Sequence, residues 1–233
     1  MKLYITFSGL DGSGKSEQIR LLSQALKGIG VKHAVVYSRI GRNSNISRIR
    51  YVFGRLLRYT NSLEDEKRAE TIRTLAMKAF AQLSVWDTLL HYALIYRVKS
   101  NGCEIVLCDR YLQDSYVDLI ALHACNAANM RSFALLKRVS PVPAISFFLE
   151  VPALLAHERE MQRPYAFVES AETVENMERL YRVLAEKGKW DIILDGSMEK
   201  HVIHERIFEE VVSLILQERA TGGGGEASQA LCR

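Results

Sequence analysis

Residues 3–20, LYITFSGLDGSGKSEQIR, set an apolar run against a glycine-rich turn and then a helical pattern. Gly9 to Ser16 satisfy G-x-x-x-x-G-K-[ST] in the context this motif requires, a strand before it and a helix after. Glycines at 9, 12 and 14 admit φ values closed to other residues and leave no Cβ between backbone N–H groups and a polyanion. The helix opening near Lys15 adds about half a positive charge at the same point. The stretch reads as a phosphate cradle, with Gly12, Ser13, Gly14, Lys15, Ser16 and Gln18 as candidate nucleotide-binding residues. A plain glycine-rich turn with an exposed lysine is the alternative; with glycine near ~7% of residues, chance seldom puts strand and helix in register with it.

Downstream, Ile19, Leu22 and Leu26 recur at helical spacing, and Gly28 with Gly30 ends the helix. Strands are expected at 31–38, 104–108, 144–151 and 191–194, all apolar, β-branched or aromatic. Residues 64–99 read as helical, with Leu75, Ala79, Leu83, Trp86, Leu90, Ala93 and Tyr96 on roughly one side. That length predicts a break or two packed helices. Five such runs separated by helices argue for α/β architecture, a five-stranded parallel sheet with helices on both faces. Right-handed crossovers then gather the loops at the carboxyl edge, making 9–16 and Asp109-Arg110 neighbours. One domain is expected over 1–218, with a flexible tail over 219–233 whose composition is TGGGGEASQALCR from Thr221.

The 233 residues are 48% apolar and 25% charged, as in an ordinary soluble protein. No run approaches the ~18 to 20 apolar residues of a membrane span, and MKLYITFSGL reads as a strand rather than a signal peptide. A cytoplasmic protein with no membrane partner is expected. Cys103, Cys108, Cys125 and Cys232 form no C-x-x-C pair, so reduced, mostly buried thiols are expected. The net charge of +4 suits anionic ligands without demanding nucleic acid. Arg42, Arg48, Arg50, Arg55 and Arg58 occur without an acidic residue among them, ahead of Glu64, Asp65 and Glu66. They read equally as a phosphate grip or as a solvated helix face near an acidic partner.

Phosphoryl transfer requires held phosphates, a metal ion and cations where charge spreads. Lys15 suits the β- and γ-phosphates, and Ser16 suits Mg²⁺. Asp109, at a strand end, suits the hydrated metal or, alternatively, a helix N-cap. Arg110 suits an acceptor phosphate. Arg159 and Arg163 are spaced for one helix face, halted by Pro164, and suit a closing flap; pairing with Glu158, Glu160 or Glu169 is the plainer alternative. Asp114 and Asp118 also share a face, and solvated helix polarity is their more economical reading.

With these pieces assembled, the chain resembles the thymidylate kinase family of P-loop kinases from about Lys2 to Leu216: GLDGSGKS, VLCDRY, FFLEVP and EREMQR at 158–163 occur in family order. The resemblance implies a three-layer P-loop kinase fold, transfer of the γ-phosphate of ATP to a nucleoside monophosphate with Mg²⁺, and often a homodimer. It would set Asp11 against the acceptor's sugar hydroxyl and Arg110 against its phosphate, Arg159 and Arg163 in a lid near 156–170, and acceptor recognition in 41–100. Arg39, Asp87 and Tyr111 join the acceptor-side candidates.

Departures touch the acceptor half. Where the family has Arg-x-Pro-Gly-Gly, Arg39 precedes Ile40, Gly41 and Arg42; where it has Asp-Arg, the latter helping to recognise the base, the chain has Asp87-Thr88. Asp114 stands at a serine position, and Val117, Asp118 and Leu119 replace Ala-Tyr-Gln. Lost base donors change an acceptor strongly, so an ATP- and Mg-dependent phosphotransferase with an acceptor other than dTMP is expected, less anionic and even cationic given Asp114 and Asp118. Competing readings are an orthodox dTMP or nucleoside monophosphate kinase, a nucleotide-binding or nucleic-acid-associated module using the arginine row, and a silent partner subunit.

Overall fold

A computed structural model describes residues 2–41, 46–62, 64–123, 127–164 and 168–222. Arg42, Cys125, Cys232 and the tail from 223 onward lie outside the described residues. In chain order the elements are β1 (Leu3–Ser8), α1 (Lys15–Gly28), β2 (His33–Tyr37), α2 (Ser47–Thr60), α3 (Glu66–Leu90), a π-helical turn (His91–Ile95), α4 (Tyr96–Lys99), β3 (Ile105–Asp109), α5 (Leu112–His123), a 3₁₀ turn (Ala127–Asn129), α6 (Arg131–Val139), β4 (Ile145–Glu150), α7 (Ala153–Met161), α8 (Ala171–Glu186), β5 (Ile192–Asp195) and α9 (Lys200–Gly222).

The five strands are all parallel, ordered β2-β3-β1-β4-β5, so every connection between them crosses over with helix. Strand alternation decides which helices cover which face. Ile105 and Leu107 of β3, with Ile5 and Phe7 of β1, pack against Ile19, Leu22 and Leu26 of α1 and Ile203, Ile207 and Val211 of α9. Val106 and Cys108 point the other way, toward Val85, Tyr92 and Tyr96 of the α3–α4 run and Leu119 of α5. Phe148 of β4 stacks on Tyr181 of α8 and on Trp190. The expected architecture and strands are therefore met, with ends shifted by a residue or two.

Two expectations change. The 64–99 run carries the expected break, in the form of a π-helical turn. Its buried side is Phe80, Ala81, Ser84, Val85 and Thr88, whereas Leu75, Leu83, Trp86 and Leu90 of the apolar stripe face solvent with Leu94 and Val98. Residues 219–222, expected to open the tail, close α9 instead. Of the described cysteines, Cys108 is buried and Cys103 half-buried, both as thiols. No helix among the described residues is long and apolar enough to cross a membrane.

Candidate active site

The strand ends bring the motif residues together. Register pairs Phe7 with Asp109 and Asp109 with Tyr37, so the chain leaves β1, β2 and β3 at one level. From β1 it enters the glycine loop, where Gly9, Gly12 and Gly14 have φ of 143°, 84° and 93°. A Cβ on Gly12 would meet the Ala156 carbonyl oxygen of α7 at 2.2 Å, and one on Gly9 the Leu149 carbonyl oxygen at 2.6 Å. Two independent constraints, handedness and space, thus demand glycine here.

Gly14 caps α1, whose first turn aims its amides into the loop. Lys15 is buried; its ammonium donates to the carbonyls of Gly9 (2.9 Å) and Leu10 (2.6 Å) and to Ser13 Oγ (3.2 Å). Burial, then the nearby Arg110 guanidinium, pull its pKa down to about 8. Ser16 Oγ donates to Asp109 Oδ2 at 3.1 Å across 93 positions of sequence. Gln18 lies at the cleft, but its amide donates to the Lys200 carbonyl (2.8 Å), tying α1 to α9.

Beside the loop is a buried charge cluster. The Asp11 carboxylate bridges two guanidiniums, Oδ2 to Arg39 and Oδ1 to Arg110. Arg39 is also held by Asp118, Nε to Oδ2 at 3.0 Å and Nη2 to Oδ1 at 3.3 Å. Arg110, in the left-handed region at φ 72°, donates to Asp114 Oδ1 at 3.3 Å. Asp114 accepts further hydrogen bonds from Ser8 Oγ (2.7 Å), Gly9 N (3.2 Å), Tyr111 N (2.9 Å) and Tyr181 Oη (2.7 Å). Burial alone would raise the Asp11 carboxyl; Arg110, Arg39 and Lys15 overcome it and hold the group far below the usual carboxylate range.

This corrects two readings. Asp114 and Asp118 are buried, not a solvated face, and their partners leave neither carboxylate open to a cationic acceptor. The arginine pair also separates. Arg159, on α7, donates to the Gly196 carbonyl (2.9 Å) and the Gly12 carbonyl (3.4 Å), while Arg163 lies beyond the helix end and pairs with Glu160 at 3.1 Å, half-exposed. Both line a cleft of about 450 Å³ with Ser13, Gly14, Met198 and Lys200.

Tyr111 turns away from the cleft, its hydroxyl on the Pro141 carbonyl and its ring stacked on Tyr92. Asp87 stands apart on α3, one carboxylate oxygen buried without a hydrogen-bond partner among the described residues. Thr88 next to it is buried and bonded to the Ser84 carbonyl at 2.9 Å. Exposed Arg55 and Arg58 on α2 fit the solvated face of the arginine row, and Arg50 reaches the Gly41 carbonyl (3.4 Å). Sequence reasoning missed Tyr181, Ser8 and Gly196. Only Gly196 carries a signal, an Asp-Gly-Ser turn directly after the last strand.

The chain matches the Thymidylate kinase family profile over residues 7–207. It belongs to the thymidylate kinase family. Similar proteins include the probable thymidylate kinase of Thermoplasma acidophilum, 24% identical over 93% of this chain and all of the relative. The thymidylate kinase of Kosmotoga olearia is 26% identical over 89% of this chain and 94% of its own length. That of Herpetosiphon aurantiacus is 31% identical over 74% and 66%. This family member is accordingly a P-loop kinase, a phosphotransferase, and the family implies ATP-dependent transfer to a nucleotide.

The residues present fit the family's ATP and Mg²⁺. The loop offers amides with no Cβ in their way, and Ser16 with Asp109 offers one hydroxyl and one carboxylate. Magnesium takes few protein ligands and completes its shell with phosphate oxygens and water.

Proposed function

We propose that this kinase moves the γ-phosphate of ATP to a phosphorylated small-molecule acceptor, a nucleotide other than dTMP. The observation that carries the donor half is the Ser16–Asp109 hydrogen bond, which joins the loop's helix to a strand end at the point where a phosphate-bound metal is needed. In this reading the loop amides and Lys15 hold the β- and γ-phosphates, and Ser16 and Asp109 hold Mg²⁺. When bound, the metal neutralises charge on the transferring group. Arg159, already resting on the Gly12 carbonyl, and Arg163 belong to the lid expected near 156–170, of which 165–167 lie outside the described residues, and there they help to close the cleft and exclude water. Arg39 and Arg110 anchor the acceptor's phosphate, with Asp11 beside its sugar.

The acceptor choice rests on the base side. Thr88, at the family's arginine position, is buried and spends its hydroxyl inside its own helix, so no guanidinium reaches a base from there. We place the acceptor-binding helices in 41–100 of a single domain ending near 218, in a cytoplasmic protein with no nucleic-acid partner. The solvent-facing stripe Leu75, Leu83, Trp86, Leu90, Leu94 and Val98 carries no charge and fits a second copy of the chain. Trp86→Glu should then convert a dimer into a monomer in sedimentation equilibrium; a wild-type monomer rejects the dimer.

The decisive test is coupled ADP release across nucleoside monophosphates and unphosphorylated metabolites. A nucleotide other than dTMP should give the highest kcat/KM. If dTMP leads the screen, the orthodox thymidylate kinase stands instead, and if no acceptor stimulates ADP release, the kinase reading falls.

A further inference from the structure

The loop satisfies the cations of both halves of the site with three consecutive residues. Gly9 and Leu10 cap the Lys15 ammonium with their carbonyls, and Asp11 caps Arg39 and Arg110 with its two carboxylate oxygens. The three carboxylates around those arginines differ in kind. Asp114 and Asp118 are fully buried behind the guanidiniums, and Asp114 is fixed by donors from β1, the loop and α8. The Asp11 side chain keeps 32% of its surface exposed and sits on the solvent side of the pair. Its geometry, one oxygen to each of two guanidiniums, is that of a bridging anion.

We infer that Asp11 is an internal competitor for the acceptor's phosphate: its carboxylate occupies the position between Arg39 and Arg110 that the acceptor's anionic group takes over. The inference rests on the reading of those two arginines as acceptor anchors. Asp114 and Asp118 serve as the fixed counter-charges that keep both guanidiniums in place when Asp11 leaves. An internal ligand of this kind raises the apparent Kd of every incoming anion by one factor, the inverse of the fraction of molecules in which the position is open. Weakly held anions such as carboxylates and chloride are thereby kept out, and a phosphate monoester with a well-fitted remainder still enters. Asp11 thus sets a threshold of affinity for the acceptor, which none of the other residues in the cluster is exposed enough to do.

The test uses inorganic phosphate as the probe. The full-length protein is first saturated with magnesium and a non-hydrolysable ATP analogue, so that the glycine loop is filled, and phosphate is then titrated calorimetrically. Asp11→Asn should bind phosphate at least tenfold more tightly than the wild type. Equal or weaker binding, or no binding by either protein, overturns the proposal. A second measurement needs no variant and covers the case in which Asp11→Asn fails to fold. In the unmodified protein the carboxyl carbon resonance of Asp11 should move on phosphate addition while those of Asp114 and Asp118 stay. Phosphate binding with an unmoved Asp11 resonance rejects displacement. Failure of the ATP analogue to bind in the first step counts against the kinase reading alone, because the Asp11 resonance still reports whether phosphate displaces it.

Discussion

The glycine loop and the charge cluster beside it are made of different material. The loop is main chain: glycine torsions, helix-end amides, and carbonyls of Leu149 and Ala156 pressed so close that a Cβ has no room. The cluster is side chain: two arginines and three aspartates drawn from the loop, the ends of β2 and β3, and α5, with Tyr181 added from α8. The first is specified by what is absent from the chain and the second by which charges meet. A backbone cradle tolerates almost no change, whereas an ion-pair cluster can be rewritten pair by pair while the fold persists.

The contrast can be broken most forcefully at Asp114. Asp114→Ala strips a partner from Arg110, leaves Ser8 Oγ, Gly9 N and Tyr111 N without their acceptor and leaves Tyr181 only the longer bond to the Gly9 carbonyl, so chemical denaturation should show a loss of about 3–5 kcal/mol. A loss below ~1 kcal/mol would mean the cluster is not the scaffold described here. At Lys15 the expectation reverses, with function lost and stability kept. Lys15→Met should lower kcat/KM about 10²–10³-fold, and because burial disfavours its ionised form, the thermal midpoint at neutral pH should stay level or rise. The same group sets a pH limit. Lys15 is a cation only below its pKa of about 8 in the free enzyme, so kcat/KM should fall above that pH, roughly tenfold per unit, and a profile flat to pH 9.5 would separate Lys15 from the phosphates. The smallest effect belongs to Arg163→Ala, which breaks only a half-exposed pair with Glu160 and should change stability by ~0–1 kcal/mol, with any larger consequence confined to kcat.

What the sequence disclosed follows the same division. The loop, the five strands and the meeting of Ser16 with Asp109 were legible because each is a local pattern placed by a general rule of parallel sheets. The pairing of Asp118 with Arg39 and of Asp11 with Arg110, across 79 and 99 positions, was not, since a carboxylate on a helix looks the same in sequence whether water or a buried guanidinium faces it. Tyr111 failed for a related reason: its neighbours Asp109 and Arg110 bond to Ser16 and Asp11 of the loop, but its own direction is set by packing on Tyr92. The helix at 66–90 misled in the opposite sense. Its most apolar side is the exposed one, and small residues such as Ala81 and Ser84 line the packed side, where neighbouring elements approach closely.

The π-helical turn at His91–Ile95 explains how that long helix serves two surfaces at once. A wider turn retards the screw by roughly a quarter revolution relative to uninterrupted 3.6-residue winding. Beyond that lag Tyr96 is buried, stacked on Tyr4 and tilted against Tyr92, while Val98 faces solvent as Trp86 and Leu90 do. Excising a single residue there would restore an ideal spiral and misdirect everything between it and β3, so the irregularity is what keeps the interior and exterior of this segment in step.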